Sequence, residues 1–298
     1  TPATGLGFVF VATSCGSCHA GDGKGHPFTT LTRFGQTDST GNHFLDRGGP
    51  QLQNRAIPGY MPEQIPSGAT SSKFTPPANT GLGFIELVSD ADILAMADPD
   101  DADNDGISGV PNWNSIPAYI IPAANTITQN GKYICRFGKK GATYNLLQQT
   151  VTAYNQDIGI TSDFDPVDVY THHITDPEVP IQTVNNVVFY LQTLKAPIKR
   201  NQNDAAVQKG KNIFIQVGCE SCHRQTLKTG YSVIESLSYK EFHPYTDLLL
   251  HDMGAGLADG RPDFLADGNE WRTPPLWGLN LVRSEERRVG KECLRLCR

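Results

Sequence analysis

One five-residue pattern occurs twice in this chain and limits what it can become: Cys15-Gly16-Ser17-Cys18-His19 and Cys219-Glu220-Ser221-Cys222-His223. In C-x-x-C-H the two thiols reach the two vinyl groups of a haem and close as thioethers. The histidine that follows stands under the iron as proximal ligand. A zinc ribbon does not need a histidine directly after both cysteine pairs, and a thioredoxin-like C-x-x-C occurs once. With 7 Cys and 8 His in 298 residues, chance does not supply the pattern twice. The reading is two covalently bound c-type haems, with His19 and His223 on the irons. Cofactor then fills much of the interior, which suits a loop-rich chain with 29 Gly and 20 Pro.

The length suffices for one large domain or two ordinary ones. A mean hydropathy of −0.35 fits a soluble globular protein, and no apolar run approaches the ~20 residues of a membrane span. Nothing basic points to nucleic acid. Haem c is attached outside the cytoplasm, so the chain is expected to be periplasmic or otherwise exported, its signal peptide lying outside this sequence. Residues Arg283–Cys293 read like the translation of a short-read sequencing adapter. Residues 283–298 are therefore expected to be non-native, the natural frame having been cut near Val282. That segment carries six Lys/Arg and three Glu, and without it the formal charge falls from −6 to −9. It also holds Cys293 and Cys297, so beyond the haem cysteines only Cys135 remains, read as a small buried hydrophobe.

Thr4, Phe8, Val11 and Cys15 step by helical spacing and predict a helix over Thr4–Ser14 that delivers the first haem motif. Residues 27–80 have little periodicity and read as irregular wrapping. After the apolar run Gly81–Val88, Ser89 and Asp92 form a capping box that opens a helix through Met96. Asp101, Asp103 and Asp105, followed by Gly106, have the spacing of the first half of an EF-hand loop. Position 12 is Asn112 and not the bidentate glutamate, so the choice is a partial Ca²⁺ site or a solvated acidic turn. Tyr133–Phe137 suggests a strand and Asn145–Ile158 a helix. A further helix runs through Lys195, with Val184, Val187, Val188, Leu191 and Leu194 on one face, and Asp176-Pro177 is its expected start. Residues 196–204 read as a proline-broken linker and domain boundary. Val207, Gly210, Phe214 and Val217 predict a helix into Cys219, an internal duplication of the first haem helix. Without residues beyond Val282 to cover it, helix 205–218 is expected to show an exposed apolar face.

The two haem motifs, Asp98–Gly109, Arg136-Phe137-Gly138, His243–Arg261 and Trp271–Gly278 together resemble the di-haem oxidoreductase family, related to bacterial di-haem cytochrome c peroxidases. The resemblance covers residues 5–282. It implies a mainly α fold with much irregular structure, built as two cytochrome-c-like haem lobes, the second incomplete. The lobes would be 1–196, with a large insertion, and 197–282. It also implies export, a calcium near the haem interface, peroxide chemistry at one haem and electron entry at the other. The partners would be hydrogen peroxide and an electron-donor protein, a small cytochrome or cupredoxin. The alternative is a di-haem electron-transfer cytochrome without peroxidase turnover.

A peroxidase needs two unlike irons. Thioether ligation raises reduction potential, and among Met61, Met96 and Met253 the last is expected on the second haem. The sixth ligand of the first haem is open among His26, His43, His172, His173 and none. Peroxide cleavage needs a group that moves a proton from the near oxygen to the far one. Glu86, a single acid in an apolar run, is the candidate, with Gln51 orienting the peroxide. Arg272 and Arg261 can pair with haem propionates. Trp113, Trp271 and Trp277 offer either an aromatic relay or core packing.

Overall fold

The structure is a computed structural model that describes residues 5–25, 29–38, 41–42, 44 and 49–278. Helix takes 23% of it and strand 17%. The expected mainly α fold is therefore wrong: short antiparallel pairs and long ordered loops share the architecture with the helices. The described residues hold six α-helices: α1 Cys15–Cys18, α2 Leu82–Glu86, α3 Asp90–Leu94, α4 Leu146–Asp157, α5 Ile181–Thr193 and α6 Ala205–Gln216. Only the last three exceed two turns.

Residues 5–14 are not a helix. Val9–Phe10 is a strand paired with Arg55–Ala56, and its surroundings explain the difference. A helix leaves its last carbonyls without intrahelical partners. Here Gly7 N–H donates to Ile158 O at 2.9 Å, and the amides of Val11 and Ala12 donate to Asp157 O at 2.9 and 3.0 Å. The incoming segment thus finishes α4. It lies so close that a Cβ on Gly7 would sit 1.7 Å from the Gly159 carbonyl oxygen. An extended chain with glycine at the crossing satisfies both partners, and a helix cannot. The proposed duplication of a haem-delivering helix accordingly fails, because only the second motif has one. Residues 27–80 also contain more order than irregular wrapping, since Leu31–Phe34 pairs with Ser71–Phe74.

Elsewhere local rules hold. Ser89 Oγ accepts from Asp92 N at 3.0 Å and caps α3. Asn145 caps α4 by accepting from Gln148 N at 2.9 Å. The cap of α5 comes from another part of the chain: Asp163 Oδ2 accepts from Ile181 N at 2.7 Å, and the helix starts after Pro180 rather than at Asp176-Pro177. Lys132–Cys135 is the central strand of a three-stranded sheet, between Asn112–Asn114 and Thr128–Gln129. Leu250–Asp252 pairs with Glu270–Arg272. Cys135 is buried in this sheet, and burial pushes its thiol up to about 12. The main core draws on both sides of residue 196, packing Ile85, Ile93, Ile134 and Leu146 with Leu227, Phe242, Leu248 and Leu249. Close packing of α2 on α5 requires Gly83, where a Cβ would meet Gln192 O at 2.1 Å. No described helix is long and apolar enough to cross a membrane.

Helix α6 has no buried residue, and Val207, Ile213, Ile215 and Val217 are exposed. This matches the exposed apolar face expected there.

Candidate functional site

The second C-x-x-C-H begins where α6 ends. Gly218, in the left-handed region, turns the chain, and Cys219–Ser221 makes one 3₁₀ turn. His223 N–H closes back on Cys219 O at 2.9 Å, and both cysteines lie outside any disulfide and keep accessible surface. The decisive contact is His223 Nδ1 to Tyr245 O at 2.8 Å. A carbonyl can only accept, so Nδ1 carries the proton and the Nε2 lone pair is left for a metal. Burial lowers the His223 pKa, keeping the ring neutral as ligation requires. Phe214 of α6 stands 6.3 Å from the His223 ring and edge-on to Tyr245 at 5.7 Å. This motif fits a proximal haem ligand.

The first motif forms α1, with His19 N–H on Cys15 O at 2.8 Å. Cys15 is exposed and Cys18 half-buried, both free. Burial raises both thiols, and Asp157 adds to the rise in each.

Haem also brings two propionates, and the interior holds donors that suit them. Arg261 is 0% exposed. Its NH1 donates to Asp263 Oδ2 at 3.1 Å, while Nε and NH2 make no hydrogen bond among the described residues. Arg33 Nε makes no hydrogen bond among the described residues but pairs with the same carboxylate, 3.8 Å from Asp263 Oδ2. Leaving buried guanidinium donors unmade is costly; Arg33 and Arg261, which share the Asp263 carboxylate, are the buried donors with capacity to spare for a propionate. Arg33 is held deep enough that burial lowers its pKa, yet keeps 20% of its side-chain surface. Arg272 donates Nε to Gly138 O at 2.8 Å and NH1 to Thr273 O at 3.0 Å. Burial lowers it to about 10, against the pull of Asp247. The propionate reading thus suits Arg261 best, and Arg33 joins it; nothing in the local sequence around Arg33 marked it.

The expected acid and its companion lie apart. Glu86 Oε1 accepts from Leu146 N and Oε2 from Gln192 Nε2, both at 2.7 Å. It ties α2 to the start of α4 and to α5. Burial raises its pKa, while these two hydrogen bonds oppose the rise. Glu86→Gln should therefore lower stability by about 1–3 kcal/mol, the cost of disturbing buried hydrogen bonds; a thermal melt at neutral pH checks this. Gln51 instead faces the first haem motif's side of the fold: its Nε2 donates to Asp157 Oδ1 and, at 3.3 Å, to Gln156 O.

Met253 follows the Leu250–Asp252 strand and is 47% exposed; Met61 is 73% exposed, and Met96 packs on the main core. His172 and His173 are exposed on a loop, and His26 and His43 lie outside the described residues. The sequence reading passed over His251. Its Nε2 pairs with buried Asp247 at 2.7 Å, and its Nδ1 meets Ser108 O at 2.8 Å and Cys222 Sγ at 3.6 Å. Burial works against the imidazolium, but the hydrogen bonds, led by Asp247, push it up to about 10. Both ring nitrogens face oxygen acceptors, which favours the imidazolium beside Cys222 of the second C-x-x-C-H.

In the acidic loop, Asp98, Asp101 and Asp103 bring carboxylate oxygens within 4.8 Å of one another. Asp105 turns away to accept from Ser221 Oγ, inside the second haem motif, at 2.9 Å. Asp98 thus takes the place expected for Asp105. Trp113 and Trp277 pack on the main core. Trp271 lies edge-on to Phe74 at 5.8 Å, beneath Lys140 Nζ at 4.7 Å, and donates Nε1 to Leu257 O at 3.0 Å.

A family model described as "Di-haem oxidoreductase, putative peroxidase" matches residues 72–291. The match includes the second haem motif, the acidic loop, Arg261 and Arg272. It begins after Cys15–His19 and Gln51, later than the resemblance read from the sequence, and it reaches into 283–298, outside the described residues. No curated protein and no solved structure matches the chain.

Proposed function

The chain belongs to the di-haem oxidoreductase family, and we propose that it is an exported c-type di-haem enzyme that reduces hydrogen peroxide. The family match carries this reading. Cys15 with Cys18 and Cys219 with Cys222 bind the two haems covalently; His19 and His223 are the proximal ligands. Bound haem supplies the redox chemistry: hydrogen peroxide, two electrons and two protons give two waters, the electrons coming from a small cytochrome or cupredoxin. The protein's part is to hold the cofactors and handle the protons. His223 is kept neutral and oriented by Tyr245 O. Arg33 and Arg261 receive propionates. Met253 is the proposed second-haem ligand, and a calcium held by Asp98, Asp101 and Asp103 braces the loop that touches Ser221 through Asp105.

The test is optical and EPR spectroscopy of haem-loaded protein before and after one equivalent of peroxide, in oxidised and half-reduced states. One haem is expected to be high-spin or labile and to change oxidation state with peroxide. Two low-spin haems indifferent to peroxide in both states would make the protein an electron carrier.

A further inference from the structure

We propose that the basic face formed by Lys199 and Lys211 beside Tyr245 is where the electron-donor protein docks, and that the donor meets it with a face of carboxylates. The proposal rests on the reading of a haem oxidoreductase fed by a donor protein, and it adds where that protein sits. The chain as a whole is acidic, with 25 Lys/Arg against 31 Asp/Glu, but residues 195–245 carry eight Lys/Arg and only four Asp/Glu. Folding gathers part of that excess over the second C-x-x-C-H. Lys199, from the stretch before α6, holds its Nζ 5.5 Å from the centre of the Tyr245 ring. On α6, Lys211 comes three residues before Phe214, so the two share a helix face, and Phe214 meets Tyr245 edge-on at 5.7 Å. Tyr245 O in turn accepts from His223 Nδ1 at 2.8 Å. A protein seated on the two lysines therefore rests against the residue that holds the proximal ligand.

The fold does not neutralise this face. Neither lysine makes an ion pair among the described residues. Lys211 is exposed, and Lys199 and His243 are half-buried. Burial lowers the pKa of Lys199, and the Lys211 charge lowers it further against Glu241. Burial also lowers His243, and Lys199 and Lys211 both add to the fall. Like charges crowded in one place concentrate opposite charge from solution. The other side of the same motif has the opposite sign. Ser221 Oγ meets Asp105 Oδ2 at 2.9 Å, and Asp98, Asp101 and Asp103 converge in the same loop. Residues 98–105 hold five aspartates, more charge than one divalent ion cancels. Carboxylates on a donor are thus drawn to the Tyr245 side and repelled from the Ser221 side, which orients the partner as well as attracting it.

Reduced, haem-loaded protein is mixed by stopped flow with an oxidised cupredoxin that carries a ring of carboxylates around its copper edge, and with the same cupredoxin after those carboxylates are changed to amides. One electron passes from ferrous haem to Cu(II), and loss of the copper absorbance times it. At low salt the wild type should react about tenfold faster with the carboxylate form. That preference should fade toward about 1 M salt, where screening acts within about 3 Å. Lys199→Glu with Lys211→Glu should abolish the preference. Lys73→Glu with Lys132→Glu, the same change of net charge at lysines elsewhere, should keep most of it. Equal loss in both variants, no loss in the first, or a preference that salt leaves unchanged overturns the proposal. Should the first variant lose its haem, Lys211→Glu alone decides: a preference cut about twofold or more supports the proposal, and an intact one overturns it. A wild type that sediments as a dimer, with the dimer lost in the lysine variant, gives the face to a second copy of the chain and also overturns it. These exchanges need no peroxide. A protein that passes electrons but ignores peroxide therefore defeats the peroxide reading alone, and the docking face is judged by its own result; a chain that takes up no haem defeats both.

Discussion

Changing Cys219 and Cys222 together to serine should halve covalent haem, leaving one per chain where the wild type has two, and the Cys15/Cys18 double variant should do the same. A thioether needs a thiol, and a hydroxyl does not replace it. The two variants should nevertheless differ in what remains. In the Cys219/Cys222 variant the His223 ring is still aligned by Tyr245 O, so added haem should bind there reversibly through Nε2 and wash out on denaturation. His223→Ala should behave in the opposite way: haem stays covalent, but its iron loses the proximal ligand and turns high-spin. Pyridine haemochrome counts the haem, and stained denaturing gels separate covalent from reversible binding. Two covalent haems surviving in either double variant would show that attachment does not run through these cysteines.

How far the sequence could be read depended on whether a signal was local. The Ser89 cap, the helix from Asn145 and α6 are short-range patterns, and the structure carries each where the residues put it. Residues 4–14 misled because their helical spacing of apolar residues also fits a strand that must finish another helix. Gly7 was the available warning, being suited to a close crossing and poor in a helix. The fold class failed for the same reason: strand partners such as Val9–Phe10 and Arg55–Ala56 lie far apart in the chain. Glu86 was legible as an acid in an apolar run, and its burial is real. What could not be read is that α4 and α5 would occupy both of its oxygens. Asp157 has no local signature at all. Burial raises its carboxyl, and the groups that oppose the rise, Gln51 and Arg33, come from over a hundred residues earlier. In the acidic loop, composition was enough to suggest a cation, but not to tell that Asp105 would face Ser221 and Asp98 would turn in.

Arg136→Ala should cause the largest loss of stability of any single change considered. Arg136 and Asp90 are both about 5% exposed and joined in an ion pair. The same guanidinium donates to Val88 O and Glu86 O, and Asp90 Oδ2 also accepts from Ile127 N at 2.9 Å. The pair thus ties the α2–α3 turn to the central strand of the three-stranded sheet and to the loop after residue 120. Removing the arginine leaves a buried carboxylate and two carbonyls unanswered, a cost of about 3–5 kcal/mol. For a chain this long, each kcal/mol moves Tm by about 2–4 °C, so a fall of about 6–20 °C is expected by circular dichroism. Salt should change it little, because a pair held this deep is poorly screened. Arg136→Lys should recover only part of the loss, since one ammonium cannot span Asp90 and Val88 O as the forked guanidinium does. Asp90→Asn should fall between, because the amide oxygen still accepts from Ile127 N but no longer neutralises Arg136. A shift of only a degree or two for Arg136→Ala would mean that water reaches Asp90 once the arginine is gone. The turn would then be held by the Ser89 cap and the apolar contacts of Ile85 and Ile93 instead.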